Sequence, residues 1–393
     1  MRSIEGKRGR LRAFLTQLMV FLVILELGLQ AVVRLGLLDV SLPTYRAANA
    51  WSFWADIDPA FGVWHLPEAR YRHAKACFDV PYRANAFGMR DAETSQRHPG
   101  PRVAVLGDSF AEGWGVADGQ RLPDLLERRT GTEHLDFGTS GDFDPVQYWQ
   151  LYRTLAKRFD HDAVIVMILP NNDFPPGGPA DARDANARWV PRLTGTYPNY
   201  RVTYPPRRFA PQPRDWQRFA VNLPGEFSLT YRTAGFMVAY VSAVRAHNAG
   251  APAAGAVQRS RYYSYAPDEF DRMRYAIEQI AREAGGRRVL IVTIPRPDDF
   301  AAAREGTPPP LPPALRAVTA AAGIDYLDLL PAMQADAAGK PEKWFLSCDG
   351  HWSPAGHAEA AKLIRQSWAY YQALPPTVAD RVSPKPATTL PQL

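Results

Sequence analysis

The sequence predicts an α/β protein in which a mainly parallel sheet is covered by helices on both faces, behind one apolar helix long enough to cross a membrane. Three observations carry that expectation. A short β-branched and aliphatic run at 103–106 and apolar runs at 135–138, 163–169 and 288–294, with a shorter one at 324–329, read as buried strands. Segments of helical period lie between them and stop at glycines, one at Gly131 and another at Gly285 and Gly286. The resulting alternation of strand and helix is that of a parallel sheet with two covered faces.

Residues 1–12 form a basic tail. Arg2, Lys7, Arg8, Arg10 and Arg12 against Glu5 supply four of the six net positive charges of the 393-residue chain. The remainder is close to balance, which sets nucleic acid aside as a partner. Residues 13–33, AFLTQLMVFLVILELGLQAVV, hold roughly the 20 apolar positions needed to cross a bilayer core. They read as a transmembrane helix. With the basic cluster on its N-terminal side, the positive-inside rule keeps the tail in the cytoplasm and sends about 360 residues to the other face. A cleaved signal peptide fits less well, because the apolar region is long for one and no clear A-x-A site follows it. Glu26 is costly inside that stretch, so the expectation there is a protonated group, a polar partner or a partner helix in the membrane. Cys77 and Cys348 are the only cysteines. They are too few for a disulfide scaffold and not spaced for zinc, but an oxidising compartment would permit one bridge.

Residues 41–101 are aromatic and irregular, a lead-in that packs beside the core. The first buried strand then runs into Gly107, Asp108 and Ser109, with more glycines at 113, 115 and 119. A strand ending in a small-residue turn is where parallel α/β sheets present reactive groups. No G-x-x-x-x-G-K-[ST] occurs, the glycines are misspaced for a dinucleotide fingerprint, and G-x-S-x-G is missing. Ser109 is therefore judged by its possible partners. A serine hydroxyl becomes nucleophilic when a base takes its proton and an acid orients the base. In "CDGHWSPAGHAEAAKLI", Asp349 and His351 are separated by one residue, so one loop can hold the carboxylate on imidazole Nδ1 while Nε2 faces Ser109. Ser353 and Pro354 read as the N-cap and first residue of the following helix. Two other strand ends bring donors to the same edge: "FGTSGDFDP", with Gly138 and Gly141, and "LPNNDF", with Asn171 and Asn172. A glycine N–H and a side-chain amide are the donors that an oxyanion hole needs.

Taken together, these blocks resemble the SGNH, or GDSL-like, hydrolase superfamily over roughly 102–370. "GDSF" corresponds to its first block with Ser109 as nucleophile, "SGD" to its second with Gly141, "NND" to its third with Asn172, and "DGHW" to its last with Asp349 and His351. The third block usually reads G-x-N-D, whereas here Pro170 and Asn171 precede Asn172 and Asp173. The D-x-H-W form of the last block is similar to membrane-linked alginate acetylation proteins. What the resemblance implies is a flavodoxin-like three-layer α/β/α fold, a catalytic domain over 102–372, and ester chemistry through an acyl-serine. Ser109, Gly141 and Asn172 would form the oxyanion hole, and no metal or other cofactor is required. His357 could imitate a metal cluster with Asp349 and His351, but it falls within the predicted helix and reads as structural. Ser140 is a decoy nucleophile whose neighbour Gly141 is better used as a donor.

The expected function is that of a serine esterase or O-acyltransferase on the periplasmic side of a bacterial inner membrane, acting on acyl, most simply acetyl, groups of a polysaccharide. The rival is a catalytically idle scaffold in a polysaccharide synthesis or export complex. From 175 to 266 the alternation breaks into an insertion or lid with one apolar segment, "AGFMVAYVSAV". Its Arg201, Arg207, Arg208, Arg214 and Arg218, interleaved with Tyr197, Tyr200, Tyr204 and Trp216, could line a groove for an anionic or O-acylated glycan, or could be a solvated loop with its rings tucked onto the core. Residues 373–393 are proline-rich and expected to be disordered.

Overall fold

Five aliphatic runs pair side by side as parallel strands in a computed structural model of the chain, which describes residues 2–141, 143–175, 177–178, 189–205, 216–248, 260–306 and 308–374. The strands are β1 (Arg102–Gly107), β2 (Glu133–Gly138), β3 (Ala163–Ile168), β4 (Arg288–Thr293) and β5 (Asp325–Asp328). Their order is β5-β4-β3-β1-β2, with Leu106 opposite Phe137 on one side and Val166 on the other. The expected strands are all present, with ends shifted by at most two residues. The chain divides into two compact units, Phe53–Arg70, Tyr82–Pro213 and Val257–Leu393 forming the larger, and Met1–Ser52, Tyr71–Pro81 and Arg214–Ala256 the smaller.

In the larger unit, the period of two along each strand sends alternate side chains to opposite faces, and both faces are dry. Ala104, Leu106, Val164, Val166, Val289 and Ile291 join one apolar cluster with Leu151 and Tyr152 of a helix at Pro145–Thr154, and with Ile277 and Ile280 of one at Pro267–Ala284. Val103, Val105, Ile165, Met167, Leu290 and Val292 join the other, against Leu126 of the helix Leu122–Thr130 and Ile364 of the helix Pro354–Ser367. This is the three-layer α/β/α arrangement. The glycine stops behave as expected: Gly131 and Gly285 cap their helices in left-handed conformation, at φ 68° and 61°. Gly138, at the end of β2, has a different reason. A Cβ there would lie 2.2 Å from the Glu112 backbone nitrogen, so the turn after β1 can rest on β2 only if this residue has no side chain.

The smaller unit is built around α1 (Arg2–Arg34), of which Gly9–Arg34 is long and apolar enough to cross a membrane. Two more helices belong to it, α2 (Trp216–Asn222) and α3 (Leu229–Asn248). Glu26 has its partner within the chain: its carboxylate accepts the backbone N–H groups of Leu229 and Thr230 at 2.8 and 2.9 Å and the hydroxyls of Thr230 and Ser228 at 2.8 and 3.1 Å. It caps the N-terminus of α3.

Parts of the lead-in and parts of the insertion fall in each of the two units. Within the insertion, strands at Arg192–Thr196 and Asn199–Thr203 form a hairpin of the larger unit. Its tyrosines pack inward. Tyr197 bonds Glu278 at 3.0 Å, Tyr200 meets Tyr275 edge-on, and the Tyr204 hydroxyl donates to the Ala60 carbonyl at 2.9 Å, so these rings are tied to the body of their unit. Arg201 and Arg218 are exposed. Arg207, Arg208, Arg214 and the tail from residue 375 lie outside the described residues. Neither Cys77 nor Cys348 is a free thiol; both are disulfide-bonded.

Candidate active site

β1 ends at Gly107, and the next residue, Asp108, turns the chain into a single helical turn, Ser109–Glu112, by accepting the Phe110 N–H at 2.9 Å. Ser109 thus begins a helix directly above the sheet edge. Its Oγ is 2.7 Å from Nε2 of His351, and Nδ1 of the same ring is 2.5 Å from Oδ1 of Asp349. Three residues separated by as much as 242 positions form one hydrogen-bonded chain in the order that proton transfer from a serine requires.

The loop that carries Asp349 and His351 is held at both ends. Phe345 and Trp352 form a β-bridge across its base, Leu346 N–H bonds the His351 carbonyl at 2.9 Å, and Ser353 N–H bonds the Trp344 carbonyl at 2.8 Å. Ser353 caps the following helix through Gly356 N–H at 3.3 Å, with Pro354 as its first residue, as the sequence predicts. The two-residue spacing of Asp349 and His351 works because the same Oδ1 also accepts the His351 backbone N–H, at 3.2 Å.

The ends of β2 and β3 complete a cavity of about 310 Å³, lined by Ser109, Trp114, Gly141, Asn171, Asn172, Arg296, Asp349 and His351 among others. All five residues singled out from the sequence border it. Gly141 has φ 134°, a region that other residues rarely adopt. Both asparagines reach the cavity, but among the described contacts only Asn172 is tied to the serine turn, through an amide N–H 3.4 Å from Asp108 Oδ2. An amide nitrogen carries two protons, so this contact leaves one for the cavity. The β3 turn is anchored from behind by buried Asp173, which accepts Leu169 N–H and the Tyr148 hydroxyl at 2.9 Å each. Burial pushes the Asp108 carboxyl up to about 6, against the opposing pull of the Phe110 N–H, nearby His351 and Asn172.

Sequence reasoning missed three side chains here. Trp114 donates its indole N–H to Asp349 Oδ2 at 3.2 Å and stacks on the His351 ring at 26°. Glu112, fully buried, accepts the Ser140 N–H at 2.6 Å and the Trp54 indole at 3.1 Å, tying the serine turn to the loop that carries Gly141. Burial opposes its ionisation, but the bonds from His65 and Ser140 and the charge of Arg90 outweigh it and lower its pKa. Arg296 places its guanidinium over Gly350 and makes no side-chain hydrogen bond or ion pair with any described residue. A lone Trp, Glu or Arg carries no local signal of such roles. The decoy Ser140 gives its hydroxyl proton to Glu112 and not to an imidazole. His357 is buried in its helix against Trp352, and burial pushes it down to about 3.

A serine with an aligned base and acid, beside clustered donors and a small cavity, can exchange an acyl group between two hydroxyl-bearing molecules. The sequence profile of the GDSL-like lipase/acylhydrolase family matches residues 105–359. No curated protein matches the chain. Among similar solved structures, a lipase/acylhydrolase from Enterococcus faecalis is 13% identical, with 73% of this chain and 100% of that one covered and a TM-score of 0.35. A member of the lipolytic G-D-S-L family from Veillonella parvula is 12% identical, covering 68% and 98%, with a TM-score of 0.34. A salicylyl acyltransferase from a tetracycline biosynthetic pathway is 13% identical over 72% of this chain and 58% of its own, with a TM-score of 0.34.

Proposed function

Because the chain belongs to the GDSL-like lipase/acylhydrolase family, we propose that it is a serine esterase or O-acyltransferase that works through an acyl-serine intermediate. Ser109 Oγ bonds to the acyl carbonyl carbon as its proton passes to His351 Nε2. Asp349 keeps the proton on Nδ1 and compensates the imidazolium that forms. The backbone N–H groups of Ser109 and Gly141 and the free amide proton of Asn172 receive the negative charge on the carbonyl oxygen. The bond to the leaving alcohol then breaks, and that alcohol takes the proton from His351. Water or a second hydroxyl then bonds to the acyl carbon as its proton passes to His351, and the bond to Ser109 Oγ breaks as Oγ takes that proton back. Hydrolysis and transfer differ only in that last acceptor.

The observation that carries this reading is the 2.7 Å contact between Ser109 Oγ and His351 Nε2, continued at 2.5 Å to Asp349. The substrate we assign is an acyl ester, most simply an acetyl ester, on a polysaccharide outside the cytoplasm. A cavity of about 310 Å³ suits a short acyl group better than a long lipid chain. The Arg296 guanidinium at its wall, which has no side-chain hydrogen bond or ion pair among the described residues, suits an acidic glycan. The apolar helix α1, with basic residues ahead of it, supports a membrane-anchored enzyme whose catalytic part lies across the membrane.

A fluorophosphonate probe tests the nucleophile, because it reacts with a serine that has an aligned base. Ser109 should be the labelled residue, and labelling should vanish in Ser109→Ala and His351→Ala. Labelling that persists in Ser109→Ala contradicts the assignment.

A further inference from the structure

The segment "AGFMVAYVSAV" has no role in the site above. It forms the middle of α3, and every one of its residues with a described side chain from Ala234 to Ser242 is exposed. Val238 is 68% exposed, Tyr240 57% and Met237 46%. These positions point to most sides of the helix, and none of the described ones is turned toward protein. A helix that is apolar all round is at home in a protein core or in lipid. In water it would be an aggregation site.

The cap on this helix points to lipid. Glu26 lies within the apolar part of α1, where an unpaired carboxylate is costly, and the first N–H groups of α3 need acceptors that lipid cannot supply. Each satisfies the other through the four bonds described above. Along α1 the same polar row continues, Gln30 donating to Glu26 at 3.1 Å and Arg34 to Gln30 at 3.1 Å, while Leu229 packs against Val33 and Val40. α3 therefore begins beside the outgoing end of a helix long enough to span. From Ala234 to Val244 its apolar run is eleven residues, about 16 Å at 1.5 Å per residue, half of a hydrocarbon core. Arg232, held by Glu226 and the Gly225 carbonyl, precedes that run, and exposed Arg245 follows it, where a long cationic side chain can reach back to a membrane surface. Exposed Trp216, Phe227 and Tyr231 stand near its start in the chain, the ring types that collect at lipid–water boundaries.

We propose that α3 is embedded in the lipid leaflet into which α1 emerges, without crossing it, so that two helices joined through Glu26 hold the protein to the bilayer. This rests on the reading that α1 spans the membrane.

The test uses full-length protein in phosphatidylcholine vesicles, with a nitroxide on a cysteine introduced at Val238. The native cysteines are disulfide-bonded, so the new thiol alone takes the label. Labels at Val20, in α1, and at exposed Arg97 serve as lipid and water references. Accessibility to oxygen, which partitions into lipid, is compared with accessibility to a nickel chelate, which stays in water. The Val238 label should match Val20, with oxygen access well above nickel access, and Glu26→Ala should raise its nickel access several-fold. A Val238 label that matches Arg97 while Val20 stays in lipid overturns the proposal and leaves the α1 reading intact. Shielding from both reagents, as in contact with a second copy, also overturns it. Nickel access at Val20 would overturn the spanning reading and this inference together.

Discussion

Asp108 serves two residues at once: one carboxylate oxygen caps the turn that begins with Ser109, and the other accepts a hydrogen bond from the Asn172 amide N–H. That second contact separates Asn172 from Asn171, which lines the same cavity without it. Losing one oxyanion donor costs about a hundred- to a thousandfold in turnover, because the bond is strongest once charge has developed on the oxygen. Asn172→Ala should lower kcat on p-nitrophenyl acetate on that scale, and Asn171→Ala by no more than a few-fold. The reverse order would make Asn171 the donor, and a small loss in both would show that the oxyanion is held elsewhere. Ser109, Asp349 and His351 were legible in the sequence because a strand end and a two-residue spacing restrict what they can do. Trp114 was not, since its bond to Asp349 joins positions 235 apart and nothing near either residue announces it.

At the level of elements, β1, β3 and β4 were legible because both faces of the sheet are buried there, which turns each of them into a largely aliphatic run. Helix ends were legible at Gly131, Gly285 and Ser353, where capping chemistry is local. The environment inside an element was less so, and His357 shows the consequence. Buried in the helix Pro354–Ser367, it is pushed down to about 3, so the folded protein leaves it neutral where the unfolded chain, with an ordinary value of about 6.5, binds a proton. Its share of stability is complete above about 6.5 and is lost as pH falls toward 3. Asp144 has the opposite sign. Burial raises it to about 7, so its contribution is present at low pH and is lost as pH rises from about 4 to about 7. Asp144 is common to both proteins when His357→Gln is compared with the parent, and its effect cancels. The fall in Tm between pH 7 and pH 5 should be smaller in His357→Gln. An equal fall in both would mean that His357 does not carry a proton-linked cost.

For the whole molecule, the long apolar helix Gly9–Arg34 and the three-layer core were legible because each rests on a long apolar pattern. The smaller unit was not, because it gathers 1–52, 71–81 and 214–256 by contacts between distant segments that have no common period. The basic tail ahead of α1 predicts that the rest of the chain is translocated. A C-terminal alkaline phosphatase fusion should be active and a green fluorescent protein fusion dark; the opposite pattern would place the site in the cytoplasm and remove any cell-surface glycan from its reach. Acyl transfer through Ser109 is the central claim, and the intermediate itself is the most direct witness. Full-length protein mixed with p-nitrophenyl acetate, quenched in acid within its first turnover and digested, should carry an acetyl group on the peptide that contains Ser109, and none in Ser109→Ala. Release of p-nitrophenol at the parental rate by Ser109→Ala, or an acetyl group found only on another residue, would contradict it.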